Sequence, residues 1–174
     1  LEALRPHAPQ VVVLPEAALT GYFLPGGVRE LALTRHELLE LLVGVYEKVG
    51  WEGVLDVVVG FYERDEGAYY NSAAYLALPP RVVHVHRKVF LPTYGVFDEE
   101  RYLARGRRVE AFRTRFGRAA LLICEDFWHS ITATIAATVM YLVVRFIPLV
   151  SGDYTAVEGP VDEAMSFGDM VVAF

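Results

Sequence analysis

The sequence has little cysteine and no excess of positive charge. Its 174 residues include one cysteine, Cys124, so the chain can form no internal disulfide and no cysteine cluster for zinc. Lysine and arginine number 16 against 22 aspartate and glutamate residues, which gives a formal net charge of −6. A protein that binds a phosphate backbone needs a basic face, and we therefore expect no nucleic-acid partner.

The sequence also has little that is typical of a leader or a membrane span. The first ten residues, LEALRPHAPQ, lack a basic stretch followed by an apolar one. Between His129 and Arg145 lie 15 uncharged residues, whereas a helix that spans a membrane needs about 20 apolar residues. We predict a buried strand or helix there, and we expect a cytoplasmic protein without a membrane partner.

Apolar residues, by contrast, are abundant. They make up 54% of the chain and charged residues only 22%, which predicts a large core and favours a homo-oligomer. Thr34 and Glu37 form a T-x-x-E capping box before an amphipathic helix that ends near Gly50. We predict one domain over residues 1–174, of α/β or α+β class, with strands at residues 11–14, 54–62, 69–78, 81–86, 109–112 and 119–123.

Three of these strands end beside a reactive side chain. Glu16 follows the first strand, Lys88 the fourth and Cys124 the sixth. Taken singly, such residues are usually an exposed carboxylate, a solvated charge and a small buried hydrophobe. Together they fit one reaction class: a carboxylate deprotonates a thiol that attacks a carbonyl carbon, and an ammonium group stabilises the oxyanion. Glu125 and Asp126 would raise the pKa of the thiol, so a nearby cation is needed.

Three sequence segments carry a family resemblance. LPEAALTGY, HRKVFLPTYGVFDEERY and LLICEDFW resemble the signature segments of the carbon–nitrogen hydrolase, or nitrilase, superfamily, in the same order, with 72 residues from Glu16 to Lys88 and 36 from Lys88 to Cys124. The resemblance implies a four-layer αββα sandwich, with Glu16 as general base, Lys88 at the oxyanion and Cys124 as nucleophile. It also implies that no metal or organic cofactor is needed. A second glutamate should follow the lysine, for which we choose Glu99, with Glu100 as the alternative.

Within the superfamily, KVFLPTYGVFDEERY and ICEDFW are most similar to the glutaminase domain of glutamine-dependent NAD synthetases and to stand-alone bacterial amidases. The resemblance implies hydrolysis of a small carboxamide through a thioacyl intermediate, with release of ammonia or an amine, and a nitrile substrate is the alternative. The SGGxDS-type loop of a synthetase domain does not occur in these residues, which favours a stand-alone amidase. A glutaminase domain that feeds a synthetase domain, an acyl transferase and a catalytically silent assembly subunit are the alternatives.

The chain departs from the family pattern in two places. The first strand that usually precedes the LPE motif is absent, and the pattern fades in ITATIAATVMYLVVRFIPLVSGDY, after the cysteine. We therefore expect the sandwich to be incomplete in this sequence, without its usual first strand and its C-terminal part.

Several other residues have two possible roles. His84 and His86 alternate along a strand and face the same side, where two structural histidines are a simpler interpretation than a metal site. Asn71 is expected to anchor the backbone of the hairpin rather than to contact substrate. Three aromatic residues next to the motifs could line the substrate pocket, with packing as the alternative: Tyr22, Tyr94 and Trp128.

Overall fold

The computed structural model describes residues 1–22, 27–138 and 171–173. Its elements, in chain order, are a 3₁₀ helix at Glu2–His7, β1 at Val11–Val13, α1 at Val28–Leu31, α2 at Arg35–Val49, β2 at Leu55–Asp65, β3 at Ala68–Leu78, β4 at Arg81–Arg87, a 3₁₀ helix at Glu99–Arg101, β5 at Ala111–Thr114, β6 at Gly117–Leu122, α3 at Glu125–Trp128 and β7 at Val171–Ala173. Residues 130–138 are also helical.

The strands of the described residues form two sheets. In the first sheet the order is β1-β2-β3-β4, where β1 and β2 run parallel and the other two pairs are antiparallel. In the second sheet β6 lies between β5, which is antiparallel to it, and β7, which is parallel to it. Strands β1 and β4 therefore run in the same direction, so their carboxyl ends lie at the same end of the first sheet.

Helix α2 begins at the predicted capping box. The Thr34 hydroxyl accepts the N–H of Glu37 at 3.2 Å, and the Glu37 carboxylate accepts the N–H of Thr34 at 2.7 Å. These bonds satisfy two N–H groups that have no partner within the helix. The C-cap is Gly50, whose φ of 61° is a left-handed conformation that favours glycine. Both ends of the predicted helix are confirmed.

The first sheet is covered on both faces. One face packs against the apolar side of α2, in a core of buried side chains from α2, β2 and β3. On the other face Val58 and Tyr75 pack with Leu121 and Ile123, which belong to β6 and to the residue just beyond it. The layer order of helix, sheet and sheet confirms the predicted α/β class, and it places the end of β6 over the first sheet.

The apolar segment after His129 is only partly described. Residues 130–138 are helical, and residues 139–145 lie outside the described residues. Among the helices that the structure describes, none combines the length and the apolar character that crossing a lipid bilayer requires.

Candidate active site

Strand direction brings two of the predicted residues together. Glu16 follows β1 and Lys88 follows β4, and both strands end on the same side of the first sheet. The ammonium nitrogen of Lys88 lies 2.7 Å from Oε1 of Glu16, in a position where the lysine side chain is fully buried. Cys124 follows β6 in the second sheet, near enough to the pair for both charges to act on the pKa of its thiol. The fold therefore gathers all three side chains.

A second glutamate joins this group. Glu99 is buried, and its Oε1 lies 3.0 Å from Nζ of Lys88. The same oxygen accepts a hydrogen bond from the Tyr22 hydroxyl. Glu100, the alternative, is exposed and pairs with Arg105. The geometry places Glu99 in the cluster and its neighbour on the surface.

Asn71 is a member of the cluster that our sequence reasoning missed. We expected its side chain to anchor the hairpin backbone, but its Nδ2 donates to Oε1 of Glu16 at 2.7 Å and to Oε1 of Glu99 at 3.3 Å. Its backbone carbonyl accepts the N–H of Lys88 at 2.8 Å. A buried, neutral amide thus holds the two carboxylates on either side of it and fixes the start of the lysine segment.

Two glycines allow close approach of the backbone segments that carry the charged residues. A Cβ atom at Gly60, in β2, would lie 2.6 Å from the nitrogen of Ala17 and 2.8 Å from Cα of Glu16. A Cβ atom at Gly106 would lie 2.0 Å from the carbonyl oxygen of Arg87. A side chain at either position would displace backbone, so glycine is required at both.

Cys124 occupies a strained turn between β6 and α3. Its φ of 44° and ψ of −99° lie outside the regions that residues with a side chain favour. Such conformations cost about 1–3 kcal/mol and persist where the surrounding contacts impose them. Here the carbonyl of Cys124 accepts the N–H of Phe127 at 2.9 Å, and the thiol itself is half-buried.

One cation and two carboxylates define the electrostatics of the cluster. Burial lowers the pKa of Lys88, but the charges of Glu16 and Glu99 outweigh burial and hold this pKa above its ordinary value. Burial raises the pKa of Glu99, and Lys88 and Tyr22 offset this only in part. Burial and the Glu16 charge raise the pKa of Cys124, although Lys88 lowers it. The thiol is therefore mainly protonated at neutral pH and needs a base.

Comparison with known proteins places this geometry in a family. The sequence profile described as carbon-nitrogen hydrolase matches residues 2–154. The chain belongs to the carbon-nitrogen hydrolase family. The glutamine-dependent NAD(+) synthetase of Thermotoga maritima is 31% identical over 136 residues, which cover 75% of this chain and 23% of that protein. The chain thus spans about a quarter of the length of the synthetase that it matches.

Two solved structures of similar proteins share the fold. The carbon-nitrogen hydrolase from Helicobacter pylori is 26% identical, with a TM-score of 0.67 over 79% of this chain and 48% of that one. The glutamine-dependent NAD+ synthetase from Acinetobacter baumannii is 27% identical, with a TM-score of 0.65 over 78% of this chain and 25% of that one. This carbon-nitrogen hydrolase chain therefore has the nitrilase-like mixed α/β fold that its motifs imply.

The three aromatic residues predicted near the site differ in their surroundings. Tyr22 contacts the cluster directly, because its hydroxyl donates to Glu99. Tyr94 is 59% exposed, and its hydroxyl donates at 2.7 Å to Oε2 of Glu125, the residue after the cysteine. Trp128 is 79% exposed on α3. Contact of these side chains with substrate stays a prediction.

The two histidines of β4 also differ. Nε2 of His86 lies 2.8 Å from the buried carboxylate of Asp126. The ring of His84 stacks on Phe112 with centroids 4.5 Å apart, and its Nε2 has no hydrogen-bond partner within the described part of the chain. Burial and the neighbouring His86 lower the pKa of His84 to about 4, so this ring is neutral at pH 7. In the residues that the structure describes, no three His, Cys, Asp or Glu side chains are arranged to hold a metal ion.

Proposed function

We propose that this chain hydrolyses the C–N bond of a small carboxamide through a thioacyl intermediate on Cys124. The observation that supports the proposal is the contact of a base with a cation beside a single thiol. Glu16 and Lys88 are 2.7 Å apart, and both act on the pKa of the thiol. A nucleophile, a base and an oxyanion-stabilising cation are the groups that attack on an amide requires. The family to which the chain belongs acts on C–N bonds.

The proposed reaction has two halves that share one base. In the first, the Glu16 carboxylate takes the thiol proton while the sulfur of Cys124 attacks the carbonyl carbon. The developing oxyanion is stabilised by the ammonium group of Lys88. The C–N bond then breaks, and the leaving nitrogen takes the proton from Glu16. In the second half Glu16 deprotonates a water molecule, which attacks the thioester and releases the acid and the free thiol.

In this scheme Glu99 and its partners hold the charged groups in place. Glu99 is the second carboxylate in contact with the ammonium group of Lys88, and Tyr22 donates to the same Glu99 oxygen. Asn71 donates to both carboxylates. These contacts limit the movement of the Glu16 carboxylate, which must accept and return one proton in each half of the reaction.

A second candidate is the glutaminase reaction of a larger, ammonia-transferring enzyme. The similarity to glutamine-dependent NAD synthetases supports it, since the synthetase of Thermotoga maritima matches 75% of this chain. In that case the substrate is glutamine, and the chain is one part of a protein that uses the ammonia elsewhere. The site chemistry is the same for both candidates, and the preferred amide separates them.

The test is ammonia release from a panel of amides, containing glutamine, asparagine, short aliphatic amides and ω-amidated dicarboxylates. We expect turnover of at least one amide, and its loss in Cys124→Ala and in Lys88→Ala, with both variants still folded by circular dichroism. A strong preference for glutamine supports the glutaminase, and a preference for another amide supports the stand-alone amidase. Ammonia release that persists in Cys124→Ala would remove this residue from the mechanism.

A further inference from the structure

Asp126, on the first turn of α3, has a fully buried side chain that is surrounded by hydrogen-bond donors. Its Oδ1 accepts the N–H groups of Val89 and Phe90, both at 2.9 Å. Its Oδ2 accepts the N–H of Ile123 at 3.2 Å and lies 2.8 Å from Nε2 of His86. An ionised carboxylate only accepts hydrogen bonds, so Nε2 of His86 carries the proton. Four donors compensate for the burial of one negative charge.

These donors come from the two segments that carry the proposed catalytic groups. Val89 follows Lys88 at the end of β4, and Ile123 precedes Cys124 at the end of β6. One carboxylate oxygen therefore bonds to the backbone beside the lysine, and the other bonds to the backbone beside the cysteine. Because β4 and β6 belong to different sheets, this carboxylate bridges the sheets at the level of the site.

The same side chain also encloses the strained turn of the cysteine. The N–H of Asp126 donates to the carbonyl of Ile123 at 2.9 Å, while the N–H of Ile123 donates to the carboxylate of Asp126. This reciprocal pair of bonds closes a ring around Cys124, whose φ is 44°. A non-glycine residue keeps such a conformation only when its surroundings impose it. The Asp126 carboxylate supplies part of that constraint.

We infer that Asp126 is a positioning residue whose carboxylate sets the separation between the Lys88 ammonium group and the Cys124 thiol. His86 holds the carboxylate in its orientation by donating to Oδ2. The inference rests on the proposed function for the roles of Lys88 and Cys124. The hydrogen bonds that carry it are present without any substrate.

Asparagine is the substitution that separates this role from simple space filling. Asp126→Asn keeps the size of the side chain but replaces one acceptor oxygen by an amide nitrogen. That nitrogen must face either the N–H groups of Val89 and Phe90 or the donors of Ile123 and His86, so one set of bonds is lost. The two segments then separate, and Lys88 acts less strongly on the thiol.

Alkylation of the thiol by iodoacetamide measures this effect directly. Cys124 is the only cysteine among the 174 residues, so the rate reports this residue alone. Lys88 lowers the pKa of Cys124, and weaker coupling to Lys88 raises it. A rise of about one pKa unit lowers the thiolate fraction, and hence the alkylation rate at pH 7, about tenfold. Loss of the Asp126 charge alone would lower the pKa of the thiol and speed alkylation, so slowing in Asp126→Asn reports the weaker action of Lys88. We expect this slowing in Asp126→Asn, and no change in Glu40→Gln, which removes an exposed carboxylate on α2.

Combination with a lysine variant decides whether Asp126 acts through Lys88. In the wild-type background, Lys88→Ala is expected to slow alkylation of Cys124 about tenfold. In the Asp126→Asn background it is expected to add less than about a twofold slowing, because the coupling is already lost. Equal effects of Lys88→Ala in the two backgrounds would overturn the inference, and so would an unchanged rate in folded Asp126→Asn.

A milder variant covers the case in which Asp126→Asn does not fold by circular dichroism. His86→Phe keeps an aromatic ring but removes one donor from the carboxylate. We expect alkylation of Cys124 to slow about threefold, which corresponds to roughly half a pKa unit. An unchanged rate in folded His86→Phe would contradict the role of the pair. Alkylation needs no amide, so a failure of the ammonia assay would refute the proposed function and leave this result to decide the positioning role.

Discussion

Lys88 is the cation on which the charge balance of the site depends. Its ammonium nitrogen lies 2.7 Å from Oε1 of Glu16 and 3.0 Å from Oε1 of Glu99. With an effective dielectric constant of about 20, each contact contributes about 6 kcal/mol of Coulomb attraction. The cost of burying the charges opposes this attraction, and removing one partner of a buried ion pair typically costs about 3–5 kcal/mol. We therefore expect Lys88→Met to lower the free energy of unfolding by about 3–5 kcal/mol at pH 7.

The loss should depend on pH because the variant leaves the buried carboxylate of Glu99 beside the half-buried carboxylate of Glu16, without a cation between them. Burial already raises the pKa of Glu99, and loss of the ammonium group, which lowers it, leaves this pKa further above its value in the unfolded chain. The folded variant then binds more protons than the unfolded one at mildly acidic pH, so its stability rises as the pH falls. We expect the difference from the wild type to be largest near neutral pH and to narrow towards about pH 5.

Urea unfolding followed by tryptophan fluorescence at several pH values measures this difference. Lys48, the other lysine of the chain, is exposed on α2, and Lys48→Met is the matched control with little expected effect. The double variant Lys88→Met with Glu99→Gln removes one negative charge together with the cation, and it should recover part of the lost stability. If the double variant is no more stable than Lys88→Met alone, charge imbalance is not the cause of the loss.

Three further predictions concern the base, the backbone contact behind it and the assembly. Glu16→Gln should lower the pKa of Cys124, since the Glu16 charge raises it, and yet abolish ammonia release. The pKa is measured from the pH dependence of the alkylation rate, and a higher pKa than in the wild type would contradict this prediction. Gly60→Ala should lower kcat for ammonia release about a hundredfold, because the new Cβ displaces Glu16. The control is Gly44→Ala on α2, where a Cβ meets nothing within 4 Å; it should keep kcat and add about 1 kcal/mol of stability. Equal kcat values in the two variants would refute the role of the close approach at Gly60. The chain should form homo-oligomers, which light scattering tests, and a clean monomer would contradict it.

The secondary structure was predictable where its signals are local. The capping box and the glycine C-cap lie next to α2 in the sequence, and they give both of its ends. Strand β2 continues to Asp65, beyond the predicted end at residue 62. Glu63 has a polar side chain that suggests a loop, but it is fully buried because Arg35 and Arg87 bond to it. That compensation comes from residues 28 and 24 positions away, which a local pattern does not show.

The candidate site was predictable only to the extent that its residues lie at strand ends. Glu16, Lys88 and Cys124 each follow an apolar run, and the fold brings the three runs to one place. Asn71 was missed because its contact with Glu16 joins residues 55 positions apart. The charge of Glu125 raises the pKa of the thiol, as the sequence predicted, whereas the bonds of the Asp126 carboxylate to donors from both sheets were not predicted. Both contacts depend on the packing of distant strands.

The candidate site is divided between two sheets, and we therefore expect the packing of those sheets to affect the chemistry proposed for it. Strand β6 is tied to the first sheet at both of its ends. At the end near the cysteine the tie is the Asp126 carboxylate. At the other end Nε of Arg115 lies 3.2 Å from Oδ1 of the buried Asp56 in β2, and Nη2 of Arg115 donates to the carbonyl of Gln10 at 2.8 Å. These polar contacts join β6 to the first sheet near both of its ends, in addition to the packing of Leu121 and Ile123 against Val58 and Tyr75. We therefore expect the reactivity of Cys124 to depend on the packing of the two sheets as well as on the residues that surround the thiol.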